Sequence, residues 1–284
     1  MIPFLHLGPV LVPTFGLMVA AAMLVSYYVL RADFKRRGLV PENPNAAETF
    51  VAIPSLAGIA GAKLYHVLES PRELFADPLG QLFSRFGLAW FGGLIAGFGA
   101  FVWMARRFKI PILEILDAGS PAAALGYGIG RIGCLLSGDG DYGIPTSLPW
   151  GMSFPNGLVP TTERVHPTPI YELIVACAIA WILWRLGARE LRARQAGGGA
   201  GAAGGAAAAG AGAVSGGAAA RAGRVFAAYL VLTGVARFLV EFIRINPRSF
   251  FGMTNAQAAS VASVIAGVAL WWYVARNPAR GVAL

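Results

Sequence analysis

Long apolar blocks alternate with short polar segments along almost the whole chain. A membrane-crossing helix needs about 20 mostly apolar residues, and about seven blocks meet that criterion. They are Phe15–Leu30, Ala46–Leu68, Leu88–Phe108, Ile112–Leu136, Thr168–Leu186, Val225–Phe242 and Ala256–Val274. The basic residues fall in clusters between these blocks. Fifteen lie on one side of the predicted layer and five (Arg72, Arg85, Arg164, Arg244 and Arg248) on the other. Lysine and arginine favour the cytoplasmic side, which places the N-terminus outside and the C-terminus in the cytoplasm. The pattern predicts an all-α integral membrane protein, with residues 1–284 forming a single membrane domain.

Two polar segments stand out. Residues 195–223 are nearly pure glycine and alanine between arginines, which predicts a flexible cytoplasmic linker rather than another span. Residues 137–167 form a long outer loop containing Tyr142, Trp150 and Phe154 with Pro145, Pro149, Pro155 and Pro160, a composition that predicts an ordered cap near the lipid headgroups. The shorter outer segment Glu69–Gly87 is expected to hold a helix lying along the interface.

Composition supports the membrane assignment. The chain is 56% hydrophobic and 13% charged, with a mean hydropathy of +0.61, more apolar surface than a soluble core of this size requires. The net charge of +9 is distributed as topology signals, so no nucleic-acid partner is expected. Cys134 and Cys177 both lie inside apolar blocks and indicate neither a disulfide framework nor a metal site. No cofactor is expected. The N-terminus lacks the basic lead of a cleaved signal peptide.

The candidate chemistry centres on residues 126–143, a glycine-rich apolar run that carries Arg131 and then breaks at Gly138-Asp139. A cation at membrane depth is costly and marks function by default. The predicted topology brings His166, Tyr171 and Glu172 to the same outer level, together with Arg237, Glu241 and Arg244 and the Gly92-Gly93 pair that opens the third span. Arginine stays charged when dry and grips phosphate through two donors. A phosphate-bearing lipid entering sideways would meet Arg131 and Arg237, and the same pair would stabilise charge growing on a departing phosphate. Plainer readings stand beside these. Arg237 and Glu241, at i and i+4, can neutralise each other, Arg244 can snorkel to the interface, and His166 can be structural.

Several motifs resemble bacterial prolipoprotein diacylglyceryl transferases. They are Gly130-Arg131-Ile132-Gly133, His166-Pro167-Thr168-Pro169-Ile170-Tyr171-Glu172 and Arg237-Phe238-Leu239-Val240-Glu241-Phe242-Ile243-Arg244, with further similarity around Gly16, Lys63, Asp77 and Gly92. The resemblance implies a multi-pass inner-membrane enzyme. Such an enzyme moves the diacylglyceryl group of phosphatidylglycerol to the lipobox cysteine of a prolipoprotein signal peptide and releases glycerol phosphate. It further implies that Arg131 holds the headgroup, Arg237 stabilises the leaving phosphate and Glu241 positions Arg237. Gly92, Gly93, Gly138 and Asp139 would shape the headgroup pocket, with Tyr171, Glu172 and Arg244 beside it. Three positions depart from the family pattern: Phe91 stands where a histidine is usual, Cys134 replaces an asparagine and Thr233 a tyrosine. The proton acceptor then falls to His166 or Asp139. The alternative is a divergent paralogue that binds an anionic phospholipid or uses another acceptor.

Overall fold

The computed structural model describes residues 1–39, 45–69, 71–83, 89–202, 222–248 and 252–277. Helices form at all seven places the apolar blocks predict. They are α1 (Thr14–Arg37), α2 (Ala46–Glu69), α5 (Trp90–Arg107), α6 (Ile112–Ser137), α7 (Thr168–Ala202), α8 (Arg224–Val240, continued by a 3-10 turn over Glu241–Ile243) and α9 (Asn255–Arg276). Two short helices, α3 (Pro71–Ala76) and α4 (Pro78–Phe83), follow α2 in the segment where one was expected. Each opens on a proline, which suits the first helical position because its missing N–H would have no partner there.

Five of these helices are long and apolar enough to cross a membrane: α1, α2, α7, α8 with its terminal turn, and α9. α5 has 18 residues, a length of about 27 Å and short for a span. α6 carries Glu114, Asp117 and Arg131 along its length. The distribution of polarity is that of a membrane protein. Leu24, Ile174, Leu239 and Ile265 face outward and are more than half exposed, while Asp117, Glu172, Glu241 and Arg244 are buried.

Two features differ from the purely helical expectation. Antiparallel hairpins join β1 (Phe4–Leu7) to β2 (Val10–Pro13) and β3 (Met152–Phe154) to β4 (Thr161–Val165). Strands of three to five residues leave little periodicity to read in a sequence. In addition, α7 runs well past the predicted end at Leu186, because the Arg-, Glu- and Leu-rich stretch that follows consists of good helix formers. Of the segment 195–223 assigned to a linker, residues 195–202 instead continue α7, Ala222 and Gly223 form the turn before α8, and 203–221 lie outside the described residues.

The described residues divide into two compact units: Met1–Asp33 with the residues from Leu113 onward, and Phe34–Ile112. In the second unit, Phe50 is buried and gathers Phe34, Phe101 and Phe108 at ring separations of 5.4–5.9 Å. Elsewhere in that unit, α2 and α5 meet backbone to backbone. A Cβ at Gly93 would sit 3.2 Å from the Gly58 carbonyl oxygen, and one at Gly92 would collide with Gly61 and Tyr65. Small residues permit such approach in lipid, where packing rather than hydrophobicity drives association.

In the first unit, Leu183 of α7 and Val225 of α8 are fully buried with Ala124 of α6. The glycines of α6 serve two neighbours: Gly126 and Gly133 admit Ser26 and Phe15 of α1, while Gly128 admits Ala176 of α7. Asp117 of α6 caps α8 from another helix, its two carboxylate oxygens accepting the Gly223 and Phe226 N–H groups at 2.8 Å. α9 opens on a capping box between Thr254 and Gln257. These contacts hold α6, α7 and α8 together, and the site is built where they end.

Candidate active site

α6 ends at Ser137, where Gly138 takes a positive φ of 59° and turns the chain. The turn is close-packed: a Cβ on Gly138 would lie 2.6 Å from the Gly157 Cα. Leu158 and Val159 donate N–H bonds back to the carbonyls of Ser137 and Gly138 at 2.9 and 2.8 Å. Tyr142 stacks on Phe154 at 5.1 Å and packs with Val165, giving residues 137–167 a small core of their own. The segment, hereafter the cap, is therefore ordered. Gly143 bridges to Arg244, and the Ile144 N–H donates to the Ile243 carbonyl at 2.8 Å, so the cap also fixes the chain leaving α8.

Around this turn, three arginines and three carboxylates converge from distant parts of the sequence. Glu172, one turn into α7, lies at the centre. Its Oε2 meets Arg131 Nε at 2.6 Å, and its Oε1 meets Arg237 Nη1 at 3.3 Å and Arg244 Nη1 at 3.2 Å. The Tyr127 hydroxyl also donates to Glu172. Glu241 holds Arg237 Nη2 at 3.1 Å, approaches Arg244 Nε at 3.7 Å and accepts from Asn246 at 2.6 Å. Asp141 links Arg131 to Arg244 through its two carboxylate oxygens. The Arg131 guanidinium lies over the Tyr127 ring, 4.8 Å from its centroid, one turn earlier on the same helix. Tyr127 and Arg131 thus form one unit on α6, clamped to α7 by Glu172.

Of the sequence candidates, Arg131, Glu172, Arg237, Glu241 and Arg244 belong to this single network. Arg244 does not snorkel: its side chain is 5% exposed and paired to three carboxylates. Asp139 stands at the margin, where its Oδ1 accepts the Asp141 N–H at 3.3 Å. His166 and Tyr171 form a separate pair. Imidazole Nδ1 lies 3.2 Å from the Tyr171 hydroxyl, which also receives the Trp150 indole N–H at 2.7 Å. The His166 backbone is joined to the cap through Gly143 and Ile144. Gly92 and Gly93 lie in the second unit, where their visible task is packing α5 on α2; Phe91 beside them is 61% exposed. Thr233 bonds the Tyr229 carbonyl of its own helix at 2.6 Å. Asp141, Tyr127 and Asn246 are members of the network that residue type and predicted depth do not single out. The one available signal for Tyr127 is its i−4 spacing from Arg131.

The Cys134 thiol and one carboxylate oxygen each from Asp139 and Asp141 lie within 4.8 Å of one another. Donors of these types can hold a metal ion, but the Asp141 carboxylate is already engaged by two guanidiniums, which would repel a cation there.

The two aspartates titrate in opposite directions. Burial and the charge of Asp141 push the Asp139 carboxyl up. Burial also works against charge on Asp141, but Arg244 and Arg131 outweigh it and hold that carboxyl below the usual range. A depressed carboxyl stabilises the fold above the pKa of an unfolded aspartate, and this contribution is lost as pH falls through the folded value. Acid unfolding of the wild type, followed by circular dichroism in detergent, should therefore steepen below about pH 4. Asp141→Asn should lack that component, and superimposable acid profiles would contradict the pairing.

Outward apolar helices around a buried arginine–carboxylate centre are those of a multi-pass membrane protein. Residues 3–204 and 211–273 match the prolipoprotein diacylglyceryl transferase family, and the chain belongs to it. The phosphatidylglycerol–prolipoprotein diacylglyceryl transferase of Clostridium tetani is 29% identical over 259 residues, covering 89% of this chain and 90% of that protein. The protein of the same name from Paracidovorax citrulli is 28% identical over 97% and 96% of the two chains. A third, from Geobacter sulfurreducens, is 29% identical over 85% and 81%.

Proposed function

We propose that the chain transfers the diacylglyceryl group of phosphatidylglycerol to the lipobox cysteine of a prolipoprotein signal peptide, in the bacterial inner membrane. In this reading all seven long helices cross the bilayer, with the N-terminus and the cap on the outer side and the C-terminus in the cytoplasm. The acceptor sulfur bonds to the terminal glyceryl carbon of the lipid. The bond from that carbon to the phosphate oxygen breaks, and glycerol phosphate leaves with the electron pair. The thiol proton passes to a base and from there to water.

The observation that carries this reading is the convergence of Arg131, Arg237 and Arg244 on the shared Glu172. In a dry site, guanidiniums fixed in advance stabilise charge on a leaving phosphate more strongly than water would. Arg131, with Tyr127 beneath it, binds the headgroup. Arg237 is the most exposed of the three, at 26%, and is held by Glu172 and Glu241 where it can meet the oxygen that gains charge. The turn at Gly138-Asp139 borders the headgroup, and Arg244, Glu172 and Tyr171 complete its surroundings. His166 takes the thiol proton, imidazole being the side chain most often used as a general base. Asp139, whose carboxyl is pushed up, is the second candidate for that step.

Arg131→Gln tests the assignment. The variant should insert and fold, yet transfer to a lipobox peptide should fall at least about a hundredfold. Turnover at the wild-type rate would remove Arg131 from the headgroup site. The reading of a divergent paralogue draws on Phe91, Cys134 and Thr233, which replace the family's usual residues. It requires phosphatidylglycerol to bind without the lipobox peptide being modified.

A further inference from the structure

The centre holds three guanidiniums and three carboxylates, so its charges are matched among the protein's own groups. A phosphate that binds there has to take the place of a carboxylate. The geometry shows which one can yield. The Glu172 and Glu241 side chains are 4% and 0% exposed and stand on helical turns, each paired with at least two arginines. Asp141 is 30% exposed and lies in the loop after α6, following Gly140 with its positive φ of 93°. One carboxylate oxygen of Asp141 faces Arg131 and the other Arg244, the two-point contact that a phosphate makes with a pair of arginines. Its backbone carbonyl accepts from the Thr168 hydroxyl at 2.5 Å and from Arg244 Nη1 at 3.5 Å, and the Thr168 bond does not depend on the carboxylate, so the side chain can turn while the loop stays in place.

We propose that Asp141 is a displaceable stand-in for the substrate phosphate. It yields Arg131 and Arg244 to the phosphate of the lipid and returns to them to expel glycerol phosphate after transfer. This rests on the reading that the arginine centre takes the phosphate. Asp141 is a positioning residue: it acts on the arginines and takes no part in bond making. Its effect is larger on the product than on the substrate. A phosphodiester carries one negative charge, whereas a phosphomonoester, with a second pKa near 6, carries close to two at neutral pH. The product therefore grips the arginines harder, and a competing carboxylate is most useful at its release.

The test measures binding of glycerol phosphate, and separately of phosphatidylglycerol, to full-length protein in nanodiscs of neutral lipid. Wild type, Asp141→Asn, Asp141→Glu and Arg131→Gln are compared. Losing one charged competitor should tighten glycerol phosphate binding about tenfold or more in Asp141→Asn, with a smaller gain for the lipid. In turnover, kcat and KM should fall together and glycerol phosphate should become a stronger inhibitor, whereas Asp141→Glu should stay near wild type. A merely structural role for Asp141 would weaken binding. Unchanged or weaker affinity in folded Asp141→Asn overturns the proposal. If Arg131→Gln binds glycerol phosphate as well as wild type does, the phosphate reading itself falls, and the proposal with it. Should Asp141→Asn fail to fold, a structure of the wild type with glycerol phosphate bound decides. Phosphate oxygens on Arg131 and Arg244 with the Asp141 carboxylate turned away is the expected result, and a carboxylate still bridging both arginines overturns it.

Discussion

Glu172→Gln is expected to lower stability by about 3–5 kcal/mol and to abolish transfer, because it leaves buried cations without their shared counter-charge. Among the described residues, Glu172 is the carboxylate that touches all three arginines, and it also accepts from Tyr127. Glutamine keeps the shape but loses the charge and one acceptor, so Arg131, Arg237 and Arg244 would be left with Asp141 and Glu241. Thermal unfolding in detergent measures the first effect and peptide modification the second. A variant that melts with the wild type would show that these contacts carry no net stability.

The second large effect is expected from Arg237→Lys. Arg237 reaches Glu172 with one terminal nitrogen and Glu241 with the other, so its planar fork is held by both and aimed into the site. Lysine offers a point charge on a flexible stem and cannot reproduce two directed contacts at once. The variant should fold with wild-type stability, because its partners stay ionised and partly paired. Its kcat should fall by about 10²–10³ with little change in KM, the signature of a contact that gains strength in the transition state. A loss confined to KM would move Arg237 from the leaving phosphate to ground-state binding.

Much of this centre is legible in the sequence, for a physical reason. Ionisable residues inside apolar blocks are rare because they are costly, so Arg131, Arg237 and Glu241 stand out against their surroundings. The basic clusters then fix which helix ends share a level. Asp141 follows the end of α6 in a polar loop, where an aspartate costs nothing, and only the fold shows that it bridges two arginines. Tyr127 looks like any aromatic in a span until its hydroxyl is seen on Glu172. Depth in the membrane predicts level but not facing. The fold adds what depth cannot give: His166 Nδ1 faces the Tyr171 hydroxyl, which also receives the Trp150 indole N–H. The cap on α8 escapes sequence reasoning for a similar reason: its donors lie more than a hundred residues from Asp117.

The most direct test of the central claim combines purified protein, phosphatidylglycerol and a lipobox peptide with one free cysteine. Mass spectrometry of the peptide and an assay for glycerol phosphate are run on the same reaction. The account predicts a peptide heavier by one diacylglyceryl group and an equal amount of glycerol phosphate, both lost in Arg131→Gln. Folded protein that binds the lipid but yields neither product would contradict it.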